Sequence, residues 1–299
     1  IDFILPAILL FIGMILVVGV GSVKAVDCTV GPHSGLITSD QRWCKTDNPH
    51  QVTGNINVQA GVTLTIDPGV QVQFATGTSL IISGSLQAVG NADEGIIFTS
   101  TGEGVLFRRI QFQAGSSGSM SYCDVTQAGS IQGILWIETS DLVIDHCSIH
   151  DTSPTMGAIL LNVAGITPSI RDTSILNNSN YAIYQNSPDM APVYDNLVLS
   201  GNSPDAVFIT GGNINRNVTW DSREVSGVPF IAGGSFTVST GATLTLNPAT
   251  ELRFPQAGGT GMGLTVSNGA TFLAEGTETE PVMITSTGID INWGTLNFS

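Results

Sequence analysis

Four polar residues recur at one place in a repeated motif: Tyr122, His146, Asp172 and Asp195, at intervals of 24, 26 and 23 residues, with Arg171 beside the third. If the chain folds back on itself once per interval, these side chains stack at strand spacing, about 4.8 Å apart. A histidine and two carboxylates at matched heights suit general acid–base chemistry, which needs a proton donor and an acceptor placed on one substrate. Paired carboxylates are also what glycoside hydrolysis employs. The position has a plainer reading. It falls between inward residues of opposite parity, Ile144 before it and Cys147 and Ile149 after it, so it lies at a bend between strands. Polar residues at such bends satisfy turn backbone groups. Turn chemistry is the reading adopted, and His146, Asp172, Asp195 and Arg171 are the acid–base candidates if the chain is an enzyme.

Other searches for chemistry return little. The sequence has no Cys-x-x-Cys, no His-Glu-x-x-His, no Gly-Lys-Ser/Thr phosphate loop and no Gly-x-Ser-x-Gly elbow. Gly258 to Gly263 is glycine-rich but follows a strand pattern with no helix after it, and reads as a loop insertion. His150-Asp151 reads as a solvated turn. Arg108-Arg109 is the only cationic pair, and its repeat counterpart is Gly294-Thr295. Asn177-Asn178-Ser179 and Asn217-Val218-Thr219 are formal glycosylation sequons, given no weight.

The elements that must position these residues are legible from two periods. A long one carries Thr63-Leu-Thr-Ile-Asp-Pro-Gly69 into Thr243-Leu-Thr-Leu-Asn-Pro-Ala249, and Thr99-Ser-Thr-Gly102 into Thr285-Ser-Thr-Gly288. Phe107, Ile110 and Phe112 return as Trp293, Leu296 and Phe298. Inside it runs the short period of Met120 to Val125, Ile144 to Ile149, Ile170 to Ile175 and Val193 to Val198. Within a coil, Val62, Leu64 and Ile66 alternate with Thr63 and Thr65, and Val70, Val72 and Phe74 alternate with Gln71 and Gln73. Such alternation puts every second side chain on one face, so strands joined by tight turns enclose an apolar interior. Single coils bury too little alone, and stacked coils share one core. The fold expected is all-β, a right-handed parallel β-helix, with Ile134, Ile159, Ile183 and Val207 in one inward column.

Asn57 to Val70, together with Phe107 to Phe112 and Ser121 to Val125, resembles the bacterial extracellular proteins with right-handed parallel β-helix repeats, the pectate-lyase-like solenoid superfamily. The likeness runs from Trp43 onward and is specific for fold; fold alone does not fix function. It implies the chemistries that enzymes of this shape use. Lyases hold Ca²⁺ on clustered Asp with a nearby Arg or Lys as base, and polygalacturonase-like hydrolases use several Asp on neighbouring coils. Ca²⁺ enters by this likeness alone, and no cofactor is expected.

The chain carries 24 Asp and Glu against nine Lys and Arg, a net charge of −15. Lys45 is the sole lysine after residue 25, so a cationic surface for nucleic acid is not expected. Phe3 to Val23 is uncharged and is followed by Val23-Lys24-Ala25, the pattern of a signal peptide; an uncleaved anchor is the alternative. Four cysteines in an exported chain invite pairing. Cys28 with Cys44 is the favoured disulfide, and Cys123 and Cys147 should stack in adjacent coils. The expected organisation is an export segment or membrane anchor at 1–25, an N-terminal cap at 26–55, a first β-helix unit at 56–218 and a second, truncated unit at 219–299. The functional expectation is a non-catalytic secreted or cell-surface scaffold or adhesin that contacts surface glycans or other cell-surface proteins. Membrane contact would come only through residues 1–25. The alternative is a carbohydrate-active enzyme, a polysaccharide lyase or glycoside hydrolase.

Overall fold

The computed structural model describes residues 26–255, 262–288 and 294–299. Residues 1–25, expected as a signal peptide or anchor, most of the glycine-rich loop and Trp293 lie outside the described residues. Within them no helix is long and apolar enough to cross a membrane. The chain is an all-β parallel β-solenoid, with every ladder parallel and only two 3-10 turns, Lys45–Asp47 and Ser222–Val225, among the described residues.

Each coil of the first unit contributes three walls. In one coil wall 1 is Thr63–Ile66, wall 2 is Gln71–Phe74 and wall 3 is Ser79–Ile82. Alternation does what it should: Leu64, Ile66, Val72 and Phe74 are buried, while the Thr and Gln between them are half-buried. On wall 2 the inward column runs Val72, Phe98, Val125, Ile149, Ile175, Leu199. On wall 1 it runs Ile66, Ala88, Met120, Ile144, Ile170, Tyr194. Stacking like on like makes one continuous core, to which each coil adds apolar area worth about 25 cal/mol per Å² removed from water.

Two registers differ from expectation by one residue. On wall 3 the column is Ile110, Leu135, Ile159, Ile183, Val207. Leu135 therefore takes the place expected for Ile134, which is also buried but falls level with Ala158. On wall 1 it is Tyr194, not the exposed Val193, that continues Ile144 and Ile170. In both places the residue passed over is aliphatic, and aliphatic identity alone does not tell which of two adjacent apolar residues fills the column.

The two long units join in an unexpected phase. Phe230 and Leu252 correspond by repeat to His50 and Val72, and the internal pairing is retained, His50 with Val72 and Phe230 with Leu252. Yet Phe230 pairs with Val207 on wall 3, whereas His50 and Val72 belong to wall 2. The strand of the second unit that answers wall 2 thus continues wall 3 of the first. The opening turn of the second unit, Ser222–Val225, closes the top of wall 2: Leu197 N–H donates to Glu224 O at 2.9 Å and Leu199 N–H to Ser226 Oγ at 3.1 Å. Wall 1 has no such closure. Its sheet ends at Val193–Asp195, and Val218–Trp220, across the hollow from it, starts a separate sheet.

Candidate functional site

The corner between walls 1 and 2 is turned by single residues in the left-handed region: Tyr122 (φ 50°), His146 (φ 50°), Asp172 (φ 43°) and Asn196 (φ 52°). Asp, Asn and His tolerate this conformation better than most residues. The fourth member of the column is therefore Asn196. Asp195 precedes it, on the strand ladder Ser121, Asp145, Arg171, Asp195. The expected column of Tyr122, His146, Asp172 and Asp195 is corrected by the same one-residue slip that replaced Tyr194 with Val193.

The corner residues engage one another. The Tyr122 and His146 rings stack at 4.8 Å. His146 Nδ1 lies 2.9 Å from Asp145 Oδ1, and Asn196 Nδ2 donates to Asp172 Oδ1 at 2.7 Å. Their backbones continue the ladder round the bend, with Asp172 N–H donating to Asp195 O at 2.9 Å and Tyr122 N–H to Asp145 O at 3.1 Å. One ligand atom each from Asp145, His146 and Asp172 falls within 4.8 Å of the others. This is the set among the described residues that could hold a cation. Two carboxylates and an imidazole suit a borderline metal better than Ca²⁺, which takes six to eight oxygens. An open groove of about 400 Å³ runs beside the corner, lined by Tyr122, Asp124, His146 and Asp172 among others.

Beneath the corner, Cys123 and Cys147 are free and buried, with Cys123 N–H donating to Cys147 Sγ at 3.3 Å. Burial pushes the Cys123 thiol well up, and the neighbouring Cys147 adds to the effect. They are members of the interior. Cys28 and Cys44 form a disulfide with Cα atoms 5.6 Å apart. Further along wall 2, His150 lies between two carboxylates, Asp124 Oδ1 at 2.7 Å and Asp151 Oδ2 at 2.8 Å. Burial alone would lower its pKa, but these two partners outweigh it and raise it. Asp124 is one coil earlier, so His150-Asp151 read as a dipeptide misses it. Arg109 packs over the Trp136 ring at 4.2 Å and donates to Gln132.

Arg171 and Asp195 belong to a different hollow. It has a volume of about 320 Å³ and lies where wall 1 ends, between Val193–Asp195 and Val218–Trp220, with Asp221, Glu224 and Asn247 on its upper side. Burial alone would raise Asp221, but hydrogen bonds from Arg223 and Asn247 and the Arg223 charge hold it below the usual carboxylate range. Sequence reasoning missed Asp221, Glu224 and Asn247, because the hollow exists only through the change of phase between units.

No family model and no solved structure matches the chain. A stretch of 66 residues is 39% identical to protein bark beetle of Drosophila melanogaster, covering 22% of this chain and 2% of that protein. The chain therefore spans about 2% of the length of the curated relative it matches.

Proposed function

We propose that the protein is a non-catalytic secreted or cell-surface β-helix of the pectate-lyase-like kind, serving as a scaffold or adhesin that contacts glycans. The observation that carries this reading is the state of the corner. Its polar side chains turn the chain and bind one another: His146 to Asp145, Asp172 to Asn196, Tyr122 to the His146 ring. Export is supported by the apolar run at Phe3 to Val23 and by the Cys28–Cys44 disulfide, a bond that persists in oxidising compartments. The exterior of alternating Thr, Gln, Asn and Ser favours polar, uncharged partners over nucleic acid.

The convergence of Asp145, His146 and Asp172 favours a second reading, an enzyme of the lyase or hydrolase type. One assay separates the two. The purified solenoid should release no reducing or unsaturated sugar ends from acidic or neutral polysaccharides, with or without Ca²⁺. Release that is lost in an Asp172→Ala/Asp195→Ala variant would establish the enzyme and refute the scaffold.

A further inference from the structure

The hollow at the end of wall 1 is a break in an otherwise continuous ladder, and both of its edges carry unused backbone groups. In a parallel ladder, alternate residues bond to opposite neighbours. Val193 N–H donates to Pro168 O, and Asp195 O accepts from Asp172 N–H, so both bond to the coil below. The peptide groups of Tyr194 between them therefore face the break. On the far side Trp220 O accepts from Asn247 N–H of the next coil, which leaves the peptide groups of Thr219 facing the break from above. A donor and an acceptor are thus fixed on each edge, on a rigid sheet.

Side chains add to this frame. Arg171 and Asp195 pair in register as strand neighbours, are exposed, and have no side-chain partner among the described residues. Glu224 accepts from Asn196 N–H through Oε2 at 3.2 Å, and Oε1 has no partner. Pro192 and Val193 supply apolar surface. By contrast Asp221 is already committed, to Arg223 and to Asn247.

From these groups we infer that the break is a binding site for a neutral oligosaccharide. Hydroxyls donate and accept at once, which matches acceptor carboxylates at Asp195 and Glu224, a donor at Arg171, and mixed backbone groups at Tyr194 and Thr219. An acidic sugar would meet more carboxylate than cation. An inserted peptide strand would find backbone partners but would also set its carbonyl oxygens against the Asp195 and Glu224 carboxylates. The volume of about 320 Å³ lies at the small end of ligand sites, about 300–1,000 Å³, so one or two sugar rings are enclosed and the rest of a chain lies outside.

This inference rests on the glycan-contacting reading and narrows it to one place. The test is the intact protein on an array of neutral, acidic and amino-sugar glycans, run beside a peptide array, with two variants. Arg171→Ala/Asp195→Ala removes two exposed, unpartnered side chains, and Thr219→Trp fills the break; unchanged circular dichroism verifies folding of both. The expected result is binding to neutral glycans, weakened at least tenfold by each variant. Neutral-glycan binding untouched by both variants would overturn the site while leaving glycan contact standing. Binding to no glycan at all would overturn both, and binding to peptides in place of glycans would overturn the sugar assignment.

Discussion

Acid should loosen the opening of the solenoid before any other part, through His33. His50 Nε2 lies 2.9 Å from the Cys44 carbonyl, which can only accept, so that nitrogen carries the proton. His50 Nδ1 is then bare and accepts from His33 Nε2–H at 2.9 Å. Both rings are stacked with Trp43 and buried. Burial, with the nearby His50 second, lowers the His33 pKa from 6.5 to about 4. The unfolded chain therefore takes up a proton near pH 6.5 while the folded one resists until about pH 4. Stability is complete above pH 6.5, declines as pH falls between those values, and is flat below. A shift of roughly 2.5 units is about 3 kcal/mol at 1.36 kcal/mol per unit. Stacking of a charged His33 on Trp43 would oppose this by about 1 kcal/mol, too little to reverse the sign.

Because a solenoid is stabilised between neighbours, this loss should be local. The chain has four histidines, so their ring carbon–proton signals can be followed individually by NMR from pH 7.5 to 3.5. His33 should titrate near pH 4, and His150, raised by its two carboxylates, above 6.5. Amide exchange corrected for intrinsic rates should show His33–Ile37 and Gln41–Trp43 losing protection at pH 4.5, with Leu142–Asp145 unaffected. His50→Phe should move the His33 titration only part of the way back, since burial is the larger cause. If His33 titrates at 6.5 or above, or the opening strands stay equally protected at both pH values, the reasoning fails.

Four further variants test the coil interior and one turn by denaturant unfolding. Asn178 is buried, accepts from Thr152 N–H and Oγ1–H, and donates to Ile149 O and Asn202 Oδ1, so Asn178→Ala should cost about 3 kcal/mol by stranding several buried groups. Ala249 sits at φ 65° where the first unit has Gly69 at φ 73°, and Ala249→Gly should stabilise by about 0.5–1 kcal/mol. Gln185 Nε2 donates to the Tyr194 hydroxyl inside the core, while Gln185 Oε1 has no partner. Tyr194→Phe alone should therefore destabilise by about 1–3 kcal/mol, whereas Tyr194→Phe with Gln185→Leu should be neutral or stabilising.

Period-two alternation was enough to read the walls, because one buried face forces the register wherever Val, Leu and Ile alternate with Thr and Gln. It failed where the column residue changed kind. Tyr194 carries a hydroxyl that takes Gln185, on the wall just before it, as a partner, and nothing in the alternation distinguishes it from the exposed Val193. The same slip moved Asp195 into the corner column in place of Asn196. The left-handed corner itself was legible, as the mixed parity of Ile144 and Cys147 already required a bend. What a bend cannot reveal is which side chains meet across coils, such as His150 with Asp124 or Asn196 with Asp172.

The long repeat misled in a more instructive way. Trp43 lies on wall 1 and Trp220 stands above the end of the same wall, but the strand that follows changes place: His50 pairs on wall 2, whereas Phe230 pairs on wall 3. The opening motif is the same in both units, a tryptophan followed by a 3-10 turn: Trp43 before Lys45–Asp47, and Trp220 before Ser222–Val225. In the first, Trp43 stacks on His50; in the second, Trp220 stacks on Phe230 at 5.7 Å, the position that answers His50. The second opening therefore lacks the ring nitrogens that make the first sensitive to acid. It also seals wall 2 of the preceding unit while leaving wall 1 unpaired, and a sheet edge without a partner is costly unless water or a ligand satisfies it. The break between Tyr194 and Thr219 thus follows from the phase of the repeat, so moving it should require adding or removing residues between Ser200 and Val218, whereas point substitutions in the walls should leave it in place.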